Sequence, residues 1–436
     1  MNFIAPVLAE ATAPSPCRKL RVAVLVDLML SASAGGHVKC WERLAGAALG
    51  FADVLDLTIY FMGKERETRI IGDNVRFVLE PPVFSTARMP FLSHVPDHTD
   101  LAPWHGRLAR ALGGHDVIHT TDAYFAYAHT AMHAARRRGT PLVTSVHTNT
   151  PQYARIFTTQ TVERLCGKGP ASRFLVERLG VARYAERRML RQLAQHQSAC
   201  AGVLVSRPEQ IAPAQEATHG PVTLLRRGVD RAFFSPAKLD RAWLADRYGI
   251  ARDRIVVLFA GRINRSKNVM LLADALAELV AGGAPLHLFC AGDGEQRATV
   301  QARLGAHVTC PGMLDPETLA RVYASADLFA FPSPVEECAN VVLEALASGL
   351  PVLVASESGM GRVVIDGETG FALPSGAGFA WTRYIALLAR DHNRRLLMAH
   401  RARRYAEQHL PSWAEVLGED LLPQWQQAAA AEPLAG

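Results

Sequence analysis

Short apolar runs alternate with amphipathic stretches along most of this chain, and the alternation limits the folds open to it. The first run, residues 22–27, is short and continuous, as in a strand buried on both faces. Behind it, residues 41–49 place apolar side chains at helical spacing. Strands that alternate with helices predict an α/β fold built on a parallel, doubly wound sheet.

The alternation runs through two separate series. In the first series, further strands are expected at 55–62, 75–79, 116–119, 141–146 and 203–206. The second series begins after Pro236, and its strands are expected at 255–260, 286–290, 327–331 and 351–355. Because 436 residues also exceed one ordinary core, we expect two Rossmann-like domains joined near residues 228–240.

The composition excludes several classes of protein. Hydrophobic residues make up 49% and charged residues 20%, as in ordinary globular proteins, and no apolar run approaches the ~18 residues of a membrane-spanning helix. The seven cysteines include no Cys-x-x-Cys pair, so neither a structural metal site nor a disulfide framework is expected. Residues 1–19 do not resemble a signal peptide, and we expect them to be a disordered leader of a cytoplasmic protein.

The segment Gly261–Asn268 carries two cations where a ligand is expected. It follows a predicted buried strand and precedes a predicted helix, and ligands of parallel sheets bind at the carboxyl ends of strands. Arg262 offers a bidentate fork to phosphate, and Lys267 offers a compact charge. Together they could neutralise a diphosphate without a metal, although two solvated loop cations would give the same pattern.

Two glutamates, Glu336 and Glu344, flank the start of a predicted helix. The amides of Ala339, Asn340 and Val341 are then expected to be unsatisfied first-turn donors, which form an anion site. Glu344, about one turn into the helix, is placed to accept hydrogen bonds from two ribose hydroxyls. Glutamates near a helix start also serve simply as favourable partners of the helix dipole, so that alternative stays open.

Taken together, these segments resemble the retaining glycosyltransferase family four, the glycosyl transferases group 1. That family has a Gly-Arg-hydrophobic loop with a Lys five residues after the Arg, met here by Arg262 and Lys267. It has a Glu-x7-Glu, met by Glu336 and Glu344. It also has a Gly-x-Gly helix start before an Asp-Gly-x-x-Gly turn, met by Gly359, Gly361, Asp366, Gly367 and Gly370. The resemblance covers roughly residues 20–425.

The resemblance implies a GT-B fold, in which two Rossmann-like domains face a central cleft, and retaining transfer of a sugar from a nucleotide-diphosphate sugar. It further implies that Arg262 and Lys267 hold the donor diphosphate, that Glu344 holds the ribose and that Glu336 faces the sugar. No divalent metal and no cofactor are implied, and the chain contains no Asp-x-Asp triplet. A UDP-sugar is the first choice of donor and GDP-mannose the second.

The same resemblance divides the chain. The expected parts are an N-terminal acceptor-binding domain over 20–235, a C-terminal donor-binding domain over 236–405, a helix over 406–425 that crosses back to the first domain, and a disordered tail over 426–436. One departure concerns the sugar pocket. Cys338 and Ala339 stand where the family usually has a bulky apolar residue and a glycine, so the donor sugar is left open.

Signals for the acceptor side are fewer. Gly35 and Gly36 follow the first strand, where the family's glycine loop brings amides to the leaving diphosphate, although a plain turn has the same residues. His147 ends a predicted strand and resembles the family's acceptor-side histidine; a structural histidine is the alternative. Further candidates for the acceptor pocket follow from the neighbouring strand, and they are His119, Asp122 and Tyr124.

A basic segment predicts an anionic partner. Between residues 151 and 200 nine basic residues stand against three acidic ones, an excess of six that equals the net charge of the whole chain. Four of them lie on one predicted helix: Arg183, Arg187, Arg188 and Arg191. An apolar stripe of Ala182, Ala185, Met189 and Leu193 accompanies them. Such a helix is typical of a membrane surface, but also of a surface helix packed on a sheet, so we expect a lipid or glycan acceptor.

Three other functions fit the sequence less well. A dinucleotide-dependent oxidoreductase would carry Gly-x-Gly-x-x-Gly after its first strand, where this chain has LMLSASAGG. A nucleic-acid-binding protein would interleave many aromatic residues among its basic ones, and here few do so, Phe174 and Tyr184 among them. A non-catalytic sugar-nucleotide-binding protein remains an alternative, because it would keep the same donor residues.

Overall fold

The computed structural model of the chain describes residues 18–31, 34–89, 98–336 and 339–431. The described residues form two parallel α/β units, so the predicted fold class is confirmed. Residues 1–17 of the expected leader, residues 432–436 of the expected tail, and Cys338 lie outside the described residues.

The N-terminal unit is built on an eight-stranded sheet. Its strands are β1 Leu20–Met29, β2 Leu55–Met62, β3 Glu67–Gly72, β4 Val75–Glu80, β5 Val117–Thr120, β6 Leu142–Ser145, β7 Gly202–Val205 and β8 Val222–Leu224. Their spatial order is β3-β4-β2-β1-β5-β6-β7-β8, and the pairs are parallel except for the edge pair β3–β4. The order reverses beside β1, which places the carboxyl ends of β1 and β5 at a topological switch point, where ligands of such sheets bind.

The helices of this unit cover both faces of the sheet. They are α1 Gly36–Ala48, α2 Gly106–Ala111, α3 Ala126–Arg138, α4 Thr150–Cys166, α5 Pro170–Arg173, α6 Val181–Ser198 and α7 Ile211–Ala217. Val22, Val24 and Val26 of β1 are buried on one face with α1, and Ala23 and Leu25 on the other. That double burial explains why β1 is a continuous apolar run.

The C-terminal unit has six strands, all in parallel pairs. They are β9 Ile255–Ala260, β10 Leu286–Ala291, β11 Val308–Gly312, β12 Leu328–Phe331, β13 Val352–Ala355 and β14 Gly370–Leu373. The order is β11-β10-β9-β12-β13-β14, which again reverses beside the first strand of the unit. The helices are α8 Arg241–Tyr248, α9 Val269–Ala281, α10 Arg297–Leu304, α11 Pro316–Ser325, α12 Asn340–Ala347, α13 Gly378–Arg390 and α14 His392–His409.

After α14 the chain returns to the first sheet, through α15 Trp413–Glu415 and α16 Leu422–Ala430. Trp413, Leu417 and Trp425 are buried in the same cluster as β1. The prediction of disorder from residue 426 is wrong for residues 426–430, because Ala428 closes the apolar face of α16 against that cluster. Among the described residues, no helix is long and apolar enough to span a bilayer.

Candidate active site between the two domains

A cavity of about 2230 Å³ lies between the carboxyl ends of the two sheets. Its walls come from the residues that follow β1, β5 and β6 on one side and β9, β10 and β12 on the other. Each parallel sheet therefore contributes the edge at which ligands bind, and the two edges face each other.

The loop after β9 holds the two predicted cations at this cavity. Arg262 and Lys267 both line it. Asn264 shapes the loop, because its side-chain oxygen accepts a hydrogen bond from the Lys267 amide over 3.2 Å. Gly292 allows the neighbouring loop to approach closely, since a Cβ there would lie 2.0 Å from the carbonyl oxygen of Gly261. The predicted phosphate loop is thus rigid and faces the cleft.

Lys267 forms an ion pair with Glu336, which follows β12. The Ser333 hydroxyl donates to the same carboxylate oxygen, Oε1, over 2.8 Å. Both charged side chains are largely buried, with 19% and 15% of their surfaces exposed. An anion that bound at Lys267 would therefore compete with Glu336 for the ammonium group.

The start of α12 differs in one respect from the prediction. Ala339 is the residue that caps the helix, and its amide donates to the Met360 sulfur over 3.2 Å. Only the amides of Asn340 and Val341 are left as first-turn donors at the cavity. The prediction that the Ala339 amide is unsatisfied is wrong, because the sulfur is placed to accept it.

A second helix start meets α12 across the cavity. Gly35 caps α1 and Gly36 is its first residue, and both line the cavity. A Cβ on Gly36 would lie 4.0 Å from the Asn340 side-chain nitrogen, so the two helix starts are close. The side-chain oxygen of Asn340 is buried there without a partner among the described residues. Two positive helix ends facing one space favour an anion.

Glu344 is almost fully buried and pairs with Arg43 of α1. The distance between Arg43 Nη2 and Glu344 Oε1 is 2.7 Å. Burial lowers the pKa of the guanidinium, but the carboxylate more than offsets that effect, and the pKa of Arg43 lies above its ordinary value. The carboxylate predicted to hold a ribose is thus neutralised from the opposite domain.

His147 lies on the acceptor side of the cavity and is 5% exposed. The ring of His37, from α1, stacks on it with centroids 4.5 Å apart. Burial lowers the pKa of His147 well below its usual range, and nearby His37 and Arg227 add to the effect. The imidazole is therefore neutral at physiological pH.

Asp122 and Tyr124 also line the cavity, and Asp27 lies beside them. The Asp122 carboxylate accepts the amides of Tyr124 and Phe125 over 2.8 and 3.2 Å. Burial nevertheless raises the pKa of Asp122 to about 6. Burial and the charge of Asp122 raise the pKa of Asp27 well above its usual range. The N-terminal side of the cavity thus holds a carboxylate pair that resists double ionisation.

His119 does not line the cavity, so the prediction that it shapes the acceptor pocket is wrong. It is fully buried behind Ser145, because its strand, β5, turns this side chain toward the returning helix α16. Among the cavity residues that sequence reasoning missed are Arg43, His37 and Arg227. For His37 and Arg43, the available signal is their position shortly after the Gly35-Gly36 pair in the sequence.

The basic helix α6 packs beside α4, with which it forms the α4–α6 hairpin, and its four predicted arginines are all exposed. Its apolar stripe faces inward instead of outward, since Met189 and Leu193 line the cavity together with Phe157 and Val162 of α4. The outer surface has its own large apolar side chains, exposed by 50% or more: Leu165, Phe174, Leu179, Tyr184 and Leu190. The described residues contain no cluster of three or more His, Cys, Asp or Glu that could hold a metal ion.

Comparisons with known proteins agree with this arrangement. The sequence model of the glycosyl transferases group 1 matches residues 241–409, which carry the cationic loop and both glutamates. The chain belongs to this family. It is 29% identical over 310 residues to a D-inositol 3-phosphate glycosyltransferase of Streptomyces avermitilis, covering 68% of this chain and 62% of the relative. It is 32% identical over 277 residues to a GDP-mannose-dependent alpha-mannosyltransferase of Mycobacterium tuberculosis, covering 62% and 64%.

The matched parts therefore span less than two thirds of these two relatives. Among solved structures, a sucrose-phosphate synthase from Thermosynechococcus elongatus aligns with a TM-score of 0.70 at 19% identity, covering 95% of this chain and 100% of the other. That likeness concerns the fold. The group 1 glycosyltransferase described here has the GT-B fold, as its sequence predicts.

Proposed function

We propose that this group 1 glycosyltransferase moves a sugar from a nucleotide-diphosphate sugar to a hydroxyl of a lipid acceptor, with retention and without a metal ion. The observation that carries the proposal is the convergence of two cations, Arg262 and Lys267, with the starts of α1 and α12 on one cavity. Charge that grows on a departing diphosphate would be stabilised by these fixed donors.

The donor side supports a nucleoside diphosphate in particular. Glu344 lies one turn inside α12, so a ribose bound there would leave its diphosphate near the amides of Asn340 and Val341. Glu336, released from Lys267, would face the sugar. A UDP-sugar is our first choice of donor, and GDP-mannose, for which one similar relative is named, is the second.

The reaction we propose is same-face attack by the acceptor hydroxyl on a short-lived oxocarbenium-like ion. A covalent intermediate would need an ionised carboxylate on the face of the sugar opposite the departing diphosphate. Two carboxyl groups on the N-terminal side of the cavity, Asp27 and Asp122, both have a raised pKa from burial, which disfavours the charged form that a nucleophile needs. Closure of the cleft would exclude water and so limit donor hydrolysis.

The acceptor side supports a lipid over a soluble glycan. The wall formed by Phe157, Val162, Met189 and Leu193 is apolar and lies beneath the α4–α6 hairpin. The outer surface of that hairpin combines exposed arginines with exposed large apolar residues. A surface of this kind would bind anionic lipid headgroups and insert apolar side chains into the interface.

The test is a transfer assay in two stages. Thermal shift with UDP, GDP and several of their sugars identifies the donor, because a ligand of the native state raises apparent stability. The matching labelled donor is then offered a lipid extract or soluble glycans, and the anomeric configuration of the product is read by NMR. Transfer to lipid with retained configuration supports the proposal. Donor binding without transfer to either acceptor would instead establish a non-catalytic sugar-nucleotide-binding protein.

A further inference from the structure

A row of buried hydrogen bonds leads from the returning C-terminal helix to His147. Trp425 Nε1 lies 2.9 Å from His119 Nδ1. His119 Nε2 lies 2.7 Å from the Ser145 hydroxyl oxygen, and that oxygen lies 2.8 Å from His147 Nε2. All four side chains are buried, and the last two, Ser145 and His147, line the cavity.

The chemistry of the indole fixes the direction of the first two bonds, and the Ser145 proton sets the third. An indole N–H only donates, so His119 Nδ1 must accept. Burial lowers the pKa of His119 to about 3, and a neutral imidazole that accepts at Nδ1 carries its proton on Nε2. His119 therefore donates to Ser145, and the single hydroxyl proton of Ser145 is left to donate to His147 Nε2.

We propose that Trp425, His119 and Ser145 are positioning residues that hold His147 as its neutral Nδ1–H tautomer. In this form the lone pair of His147 is occupied by the Ser145 hydroxyl, and the ring presents a proton on its other nitrogen. That nitrogen, Nδ1, is buried without a partner among the described residues. A buried donor that lacks a partner is costly unless a ligand supplies one.

The partner that fits is an oxygen atom of the bound donor or acceptor, either a sugar hydroxyl or a phosphate oxygen. The stacked ring of His37 fixes the plane of His147, so the N–H has one direction. His147 consequently serves as a hydrogen-bond donor, and it does not take the proton of the acceptor hydroxyl. This role rests on the proposed function, whereas the tautomer does not.

The tautomer can be read directly in the full chain labelled with 15N-histidine and free of ligand. Long-range proton–nitrogen NMR distinguishes the two neutral forms, and the His147 signals are assigned by their loss in His147→Gln. We expect His147 to be protonated at Nδ1 and His119 at Nε2. A His147 protonated at Nε2 would overturn the proposal, whatever the activity of the enzyme.

Two variants break the row at different points. Ser145→Ala removes the donor to His147, and Trp425→Phe keeps the ring but removes the indole N–H. Both should convert His147 into a mixture of tautomers and lower turnover by about tenfold, the cost of one misplaced hydrogen bond. If Ser145→Ala does not fold, Trp425→Phe alone decides. An unchanged His147 spectrum in a folded variant would overturn the proposal.

Thr120→Val is the matched control. Thr120 is buried on the strand of His119, but its hydroxyl bonds to Thr144 and His196 instead of the row. The control should keep both the His147 spectrum and the turnover of the unaltered chain. A loss of the tautomer in this control would show that any buried hydroxyl in the region has the same effect, and would overturn the specific role of Ser145.

Discussion

Arg43 Nη2 lies 2.7 Å from Glu344 Oε1, although the two residues are 301 positions apart and belong to different domains. The carboxylate is 4% exposed and the guanidinium 32%. Because the pair spans the cavity, it links the arrangement of the two domains to the residue that we expect to bind the ribose. Donor binding must therefore share or replace a contact that already stabilises the cleft.

The first prediction concerns this pair. Arg43→Met should lower the melting temperature by roughly 5 °C, because it leaves a buried carboxylate without its counter-charge. Adding Glu344→Gln should recover part of the loss, since the stranded charge is then removed. Calorimetry of the two single variants and the double variant measures the coupling. An exposed pair, Arg303 with Asp274, provides the control, and Arg303→Met should change the melting temperature by about 1 °C or less. Strictly additive effects of Arg43→Met and Glu344→Gln would contradict the coupling.

The second prediction concerns the phosphate loop. Arg262→Ala and Lys267→Ala should each lower turnover by about 10²-fold or more, because each removes charge stabilisation of roughly 2–4 kcal/mol from the departing diphosphate. Arg265 lies in the same turn but is exposed and does not line the cavity, so Arg265→Ala is the matched control. Steady-state kinetics with the identified donor measures all three. Near-normal turnover in folded Arg262→Ala and Lys267→Ala would show that these residues do not stabilise the departing diphosphate.

The third prediction concerns metal ions. Transfer should survive an excess of chelator, because two side-chain cations and two helix starts would supply the charge that Mg²⁺ supplies elsewhere. The assay compares initial rates before and after chelator treatment. Complete loss of transfer, followed by recovery with Mn²⁺ or Mg²⁺, would show that the reaction depends on a metal.

The fourth prediction concerns the membrane. Changing Arg183, Arg187, Arg188 and Arg191 to Gln should release the protein from anionic vesicles while leaving nucleotide affinity intact. Each arginine near an anionic surface contributes about 1 kcal/mol, and added salt should weaken binding as the Debye length shortens. Co-sedimentation with anionic and neutral vesicles, at low and high salt, measures the effect.

A control of equal charge distinguishes a specific surface from net charge. Arg383, Arg390, Arg401 and Arg404 are exposed on α13 and α14 of the other domain. Changing these four residues to Gln removes the same charge and should leave vesicle binding in place. Negligible binding of the unaltered chain to both kinds of vesicle would reject the membrane role and favour a soluble glycan acceptor.

The fifth prediction concerns pH. The pKa of Asp122 is raised to about 6 in the folded chain, against 3.8 as its ordinary value. The folded state therefore favours the protonated carboxyl. The protonated carboxyl contributes its full stabilisation of the folded state below pH ~4, and this contribution is lost as the pH rises through 6. Asp122→Asn should raise stability at pH 7.5 by roughly 1–2 kcal/mol and change it little at pH 4. A melting temperature that rises equally at both values would contradict the shift.

Much of the sheet could be predicted because its central strands are buried on both faces. The strands 55–62 and 255–260 were predicted with the bounds that the structure has. The edge strand β3 was missed because its side chains are mostly exposed, and β14 because it begins with a glycine turn. A strand can be recognised from the local sequence only where its burial requires a run of apolar residues.

The cavity residues that we expect to bind the donor could be found because they lie at fixed spacing beside strands of one domain. The partners of those residues could not. Arg43 meets Glu344, and Tyr153 donates to the Val335 carbonyl over 2.8 Å, only because two distant parts of the chain face each other. His119 was misplaced for the same reason, since its orientation depends on Trp425, 306 residues away. Long-range contacts of this kind leave no local signal in one sequence.

The chain crosses between the two domains twice, and the two crossings lie side by side. The Val229 amide donates to the Pro411 carbonyl over 2.9 Å, and Gly228 packs so closely that a Cβ would lie 2.7 Å from the Trp413 ring. A single linker would let one domain swivel in any direction. A pair of hydrogen-bonded linkers permits rotation mainly about one axis. We therefore expect the cleft to open and close along one path, which brings the same residues of the two domains to face each other again.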